Sequence, residues 1–210
     1  MTAQRNDSQS QRSQWWPRID APRCARGSST LDAWWASIAS AIRSAKQDAY
    51  SKIILTCNPQ TLDFYGYFYL DTPTVLAPIE SSIFLGAHAS AFAEVQIGRM
   101  VIEDAIKGYS DGVSPPHRYV VEMDPEAGWQ EKLFAWYNEE HLPGLASVPG
   151  CIAAIRCINL DYSPNSFAFY DLTKPEVLGC EPWLKVRNTA WSDRVRPHFT
   201  NVKRTMFSLF

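Results

Sequence analysis

The stretch EKLFAWYNEEHLPGLASVPG, Glu131 to Gly150, brings an indole, a phenol and an imidazole close together in the chain. Trp129, Leu133, Tyr137, His141 and Leu145 recur every four residues. Residues so spaced share one face of a helix. Gln130, Glu131, Asn138 and Glu139 fall on the other, solvated face. The stripe therefore turns His141 toward the protein interior, in line with Tyr137. Pro143 lacks a backbone N–H and must break or kink the helix just after the histidine. An imidazole at a cavity wall can act as general acid or base near neutral pH. A packed core histidine, its ring nitrogens satisfied by backbone groups, fits the same spacing. Glu139 reads as a surface carboxylate. Glu140 could orient His141 only if the kink turned it inward.

The remaining chemistry is sparse. His198, in RVRPHFTN, is flanked by Arg194, Arg196 and Lys203, which suits a solvated loop, though it could also line the site. His88 falls in an apolar segment and His117 in a turn-rich one. There is no H-x-H, no H-E-x-x-H and no thiolate pair at zinc spacing, so no metal site is expected. No Gly-rich phosphate loop is present, and no Ser or Cys sits in a nucleophile elbow. The expectation is a site without a cofactor. A haem held by one axial histidine is the alternative. Tyr137 would position or polarise a carbonyl beside His141. Trp136, Tyr170, Trp183 and His198 complete the expected substrate-binding set.

The composition is that of an ordinary globular protein: 210 residues, 46% hydrophobic, 20% charged. A formal net charge of -2 gives no reason to expect a nucleic-acid partner. Eight Trp, nine Tyr and ten Phe supply enough ring surface to line a cavity for a flat ligand as well as a core. Five cysteines, irregularly spaced and without C-x-x-C, read as free thiols in a reducing, cytoplasmic setting. The start MTAQRNDSQSQRSQ has no apolar core of a secretory signal. The most apolar long window, VLAPIESSIFLGAHASAFAEV, is interrupted by Pro78, Glu80 and His88, so no membrane span is expected.

The elements that must hold His141 follow from periodicity. RYVVEMD reads as a strand, PEAGWQEKLFAWYNEEHLPGL as a helix, CIAAIRCINL and SFAFYDLT as strands joined by the turn YSPN. A broken helical stretch and the strand NVKRTMFSLF close the chain. The order β-α-β-β-α-β is the ferredoxin-like plait. SSTLDAWWASIASAIRSAKQ, YSKIILTCN, LDFYGYFYLDT, a helical region near 74–93 and IGRMVIEDAIKGY repeat much of it upstream. Sliding the chain by 102 residues lays 33–78 on 135–180 with seven identities in 46 positions. Trp35 then matches Tyr137, and Ala39 matches His141. WPRIDAPR stands where the first strand should be, and its two prolines make a poor one. The expected fold is α+β: two ferredoxin-like βαββαβ repeats, the first degenerate, packed sheet against sheet within the chain. The expected division is a disordered or loosely packed tail over 1–28, a degenerate repeat over 29–110, a linker over 111–117 and a second repeat over 118–210. In SFAFYDLT, Phe167 and Phe169 occupy one face and Ala168, Tyr170 and Leu172 the other, so both faces demand cover.

FAWYNEEHLPGL, followed by VPG and an arginine-bearing strand, resembles the EthD-like members of the dimeric α+β barrel superfamily. The matching positions are Trp136, Tyr137, His141 and Pro143, and the likeness extends over about 118–210. It implies sheets paired into an intramolecular α+β barrel, a ligand pocket between sheet and helices, and a catalytic histidine at His141. The expected function is proton transfer by His141 on a small aromatic or polyketide-like carbonyl compound, as an isomerase, cyclase or lyase without a cofactor. A cofactor-free monooxygenase and a non-catalytic small-molecule binder are the alternatives. The expected partner is a small-molecule substrate, with a homodimer left open.

Overall fold

The computed structural model describes residues 13–20, 52–61, 63–69 and 94–209, with the backbone alone at 13–20 and 94–97. Eight antiparallel strands run along it: β1 (Ser13–Asp20), β2 (Lys52–Cys57), β3 (Asp63–Tyr69), β4 (Glu94–Lys107), β5 (His117–Pro125), β6 (Cys151–Asn159), β7 (Ser166–Leu172) and β8 (Phe199–Leu209). They close into a barrel in the order β1-β3-β2-β8-β5-β7-β6-β4. Each half contributes four neighbours in the order fourth, first, third, second, which is the ferredoxin-like sheet. The 102-residue offset carries β2 onto 154–159, β3 onto 165–171 and β4 onto 196–209, each within three residues of its counterpart's bounds. The expected two-repeat α+β barrel is the observed fold.

The expectation of a poor first strand at WPRIDAPR is corrected. β1 lies inside the stretch expected to be a disordered or loosely packed tail, and it pairs with both β3 and β4. Pro17 sits within it. The β1–β3 register skips Trp16 and Pro17 and resumes unshifted at Arg18 opposite Tyr65. A proline cannot donate to a ladder, so the strand survives by leaving that place unpaired on one side. The helices expected at 28–47 and 74–93 lie outside the described residues, as do Trp35, Ala39 and His88.

Alternation decides what each sheet face meets. Val120, Phe167, Phe169 and Phe207 point into the barrel with Tyr65, Tyr67 and Ile54 of the first half. An eight-stranded barrel is just wide enough for side chains to fill. Polar contacts cross this lumen between the halves. Tyr65 donates to Glu122 at 2.6 Å, Arg118 lies over the Tyr67 ring at 4.6 Å, and Lys203 reaches Asp63 at 2.7 Å. Arg118 also pairs with Asp171 through Nε at 2.7 Å and Nη2 at 2.9 Å. Burial alone would lower the Arg118 pKa, but the facing Asp171 carboxylate carries it well above the ordinary value.

The other face of the second-half sheet is covered by helices. Val121, Met123, Ala154, Ala168, Tyr170 and Leu172 meet Leu133, Trp136, Leu142 and Leu145 there. The cover comprises α1 (Gln130–Trp136), a π-helical turn (Tyr137–His141) and α2 (Leu142–Ala146). After β7 come a 3-10 turn (Pro175–Gly179), α3 (Glu181–Arg187) and α4 (Ala190–Val195). Gly144 lets α2 and α3 approach closely, since a Cβ there would stand 2.7 Å from Val186 Cγ1.

Candidate active site

The break beside His141 is a π-helical turn over Tyr137–His141, one turn earlier than the expected kink after it. Pro143 supplies the reason. Its nitrogen cannot donate to the carbonyl four residues back. The ladder widens instead, and the Leu142 N–H donates to the Tyr137 carbonyl, five residues away. The wider turn keeps Trp136, Tyr137, His141 and Leu142 all buried. Such turns recur at functional sites because they present adjacent side chains to one side.

These side chains form the wall of a cavity of about 90 Å³ between the helices and the outer face of the sheet. His141 stacks on Trp136, with ring centroids 4.0 Å apart and planes at 21°. Tyr137 meets His141 edge-on at 5.5 Å, and Tyr170 does so at 6.4 Å. Trp183 of α3 stands edge-on to Tyr170 at 5.3 Å. Tyr119 of β5, stacked near Tyr170 at 6.3 Å, completes the aromatic lining. Arg156 of β6 props this wall from behind. Its guanidinium lies 3.7 Å over Phe134 and 5.5 Å from the Tyr137 ring, and Nη1 donates to Asn138.

Three buried polar atoms of this lining have no hydrogen-bond partner among the described residues: Trp136 Nε1, His141 Nδ1 and Tyr170 Oη. An unsatisfied buried donor or acceptor costs about 1–3 kcal/mol, so three in one wall require an explanation. Volume alone would direct attention elsewhere. A hollow of about 470 Å³ lies by Ser110, Pro149 and Lys174, and one of about 260 Å³ by Trp129 and Trp191. Neither is lined by an orphaned buried atom.

Electrostatics single out the same place. Burial, helped by the charges of Arg196 and Arg187, holds the His141 pKa down at about 3. The ring is therefore neutral at physiological pH, with a free nitrogen at the cavity wall. Burial also raises the Tyr137, Tyr170 and Tyr119 phenols, which stay protonated as donors.

The structure brings His141, Tyr137, Trp136, Tyr170 and Trp183 together around one cavity. His198 stands apart from it. Its ring stacks on Trp129 at a centroid distance of 3.4 Å, and Nδ1 pairs with Glu126 at 2.5 Å. Glu140 does not orient His141 either. It accepts a 2.5 Å hydrogen bond from Thr189, the N-cap of α4. Four polar lining residues went unnoticed in the sequence: Tyr119, Arg187, Arg196 and Arg204. They lie on β5, α3, the turn after α4, and β8. The only signal was the alternation that puts Tyr119 and Arg204 on the helix-covered face.

No protein-family model matches the chain. No curated protein matches it. Solved structures do, over nearly the whole length. A protein assigned as a monooxygenase from Fusobacterium nucleatum aligns over 96% of this chain and 93% of its own, with a TM-score of 0.64 at 9% identity. An anthrone oxidase-like protein aligns over 97% and 92%, with a TM-score of 0.64 at 8% identity. A chlorite dismutase from Candidatus Nitrospira defluvii aligns over 97% and 92%, with a TM-score of 0.61 at 10% identity. Identities this low show a shared ferredoxin-like fold. The expectation of a site without a cofactor is corrected by this comparison, because the chlorite dismutase-like neighbours are haem-binding. This cavity, at about 90 Å³, is smaller than the hollow of about 150 Å³ that accepts a single benzene. A macrocycle does not fit it.

Proposed function

We propose that this cavity binds a small aromatic carbonyl compound and that His141 removes a proton from the carbon next to the carbonyl. The carrying observation is the neutral imidazole with an orphaned nitrogen in an aromatic wall, beside two further orphaned polar atoms. A base must be unprotonated to act, and burial keeps His141 so. The imidazolium that forms is costly in isolation but would lie against the face of Trp136, a cation–π contact. It would also be paired with the enolate it creates, and such pairing is strong where water is excluded. Tyr137 and Tyr170, held protonated, are donors for the enolate oxygen. The likeness of FAWYNEEHLPGL to EthD-like proteins supports the same role for His141.

The direct test is exchange of carbon-bound hydrogen. One-ring aromatic ketones with an enolisable CH2 or CH3 beside the carbonyl, such as phenylpyruvate and hydroxyacetophenone, are incubated in D2O and followed by NMR. The wild-type protein is expected to accelerate exchange of at least one of them. His141→Gln is expected to abolish that acceleration, by roughly 100-fold or more, while the variant melts within a few degrees of wild type. Undiminished exchange in the variant, or binding with no exchange at all, would remove the catalytic reading and leave a binding protein. Two neighbours bear the names monooxygenase and anthrone oxidase-like. Those names favour capture of the same carbanion by dioxygen as a second outcome, and oxygen uptake during the assay separates it.

A further inference from the structure

The cavity has one side that the aromatic chemistry does not use. Arg187, Arg196 and Arg204 all line it. Arg187 and Arg204 are exposed and Arg196 is half-buried, so they form its mouth, while the rings form its floor. None of the three is in an ion pair among the described residues. They come from three separate elements, the end of α3, the turn after α4, and β8, so their meeting is a product of the fold. Each acts on the others and on the site. Burial and the charges of Arg187 and Arg204 lower the Arg196 pKa, and only Asp193 and Tyr119 oppose them. The charges of all three arginines also act on the Tyr119 phenol, opposing the burial that raises its pKa. The chain as a whole carries 22 acidic and 20 basic side chains, yet these three guanidinium groups line one cavity without an ion pair among the described residues. Gathering like charges at a cavity mouth is unfavourable unless an anion comes to rest there.

Resting on the reading of this cavity as the ligand site, we infer that its ligand is an anion: a one-ring aromatic carboxylate whose ring enters the aromatic floor and whose carboxylate is held at the mouth by Arg187, Arg196 and Arg204. At about 90 Å³ the cavity must widen at its mouth to admit a single ring. A guanidinium fork matches a carboxylate in two parallel hydrogen bonds. The bound carboxylate also cancels the two cations that, after burial, depress the basicity of His141. Ligand charge and the proton acceptor are thus coupled: the base strengthens as the anion binds.

Phenylacetate and phenylacetamide test this, because they share ring and length and differ in charge. Both are titrated calorimetrically into the full chain at low ionic strength. Phenylacetate is expected to bind roughly tenfold or more tightly than the amide. The gap is expected to shrink near 1 M salt, where the Debye length is about 3 Å. Arg196→Gln and Arg204→Gln are each expected to weaken phenylacetate and leave phenylacetamide unchanged. Relief of repulsion is expected to keep the melting temperature of each variant at or above that of wild type, so a folding defect does not obscure the result. Equal affinity for the two compounds overturns the inference while the cavity stands as a ligand site. Full phenylacetate affinity in both variants overturns it as well, by placing the anion elsewhere. Failure of both compounds to bind overturns the cavity reading together with the inference.

Discussion

His141 illustrates how one residue can be right in the sequence and yet incompletely understood from it. The four-residue stripe from Trp129 to Leu145 correctly turned the ring inward, and Tyr137 and Trp136 came with it. The stripe could not show that the ring would find no hydrogen-bond partner for Nδ1. It also could not show the arginines. Arg187 and Arg194 end short helices, where cations complement the helix dipole and need no further reason. Only Arg187 of that pair reaches the cavity, and Arg196 and Arg204 join it from elsewhere in the chain. The consequence of burial is measurable without knowing a ligand. The imidazole titrates at about 6.5 when exposed and at about 3 in the folded protein. Between those values the unfolded chain binds a proton that the folded one refuses, so stability is whole above about 6.5 and falls as pH is lowered toward 3. A full shift of that size is worth on the order of 5 kcal/mol. Urea unfolding at pH 7 and at pH 4 is expected to show a smaller pH-induced loss for His141→Gln than for wild type. Equal losses would mean that the ring is not desolvated.

At the scale of elements, the site depends on joints as much as on helices. The π-helical turn over Tyr137–His141 exists because Pro143 cannot continue an ordinary ladder, and the proline was visible in the sequence. Its exact register was not, because an i+5 bond is a choice made under packing. Thr189 is the second joint. Its hydroxyl donates to Glu140 at 2.5 Å and accepts from the Ser192 N–H at 3.1 Å, so one side chain caps α4 and ties it to the π turn. The Glu140 carboxylate, two glutamates into NEEH, therefore works on a helix start 49 residues away. Nothing in its sequence neighbourhood could reveal that. Loss of an N-cap costs about 0.5–2 kcal/mol, and the bond to an acidic group adds to it. Thr189→Ala is expected to destabilise the protein by roughly 1–2 kcal/mol, read as a lower urea midpoint at unchanged slope. It is also expected to weaken phenylacetate binding, because α4 leads directly into Arg196. An unchanged midpoint would show that α4 is held by packing alone.

Over the whole molecule, the decisive sequence feature was a strand with two apolar faces. SFAFYDLT cannot leave either face in water, and the barrel satisfies both at once: Phe167 and Phe169 toward the first half, Ala168, Tyr170 and Leu172 toward the helices. The 102-residue offset was readable for the same reason, since both repeats keep the pattern needed to pair their sheets. What hid the first strand was Pro17, a local objection overruled by pairing on both sides of it. The two halves meet along unequal seams. β4 and β6 pair over seven positions, while β2 and β8 pair over only two. The lumen contributes the rest, through Tyr65 to Glu122, Asp63 to Lys203, and Arg118 over Tyr67. The second half therefore holds the site but not the means to stand alone. Expressed as residues 108–210, it would uncover Val120, Phe167, Phe169 and Phe207 together with the buried Arg118–Asp171 pair. An apolar sheet face of that kind must find cover, and the nearest available cover is the same face on a second copy. Light scattering of this fragment is expected to report a dimer or larger species, with the four-stranded faces paired as the repeats are in the full chain. A monomeric fragment that unfolds cooperatively would show that the first half is not needed to bury that face.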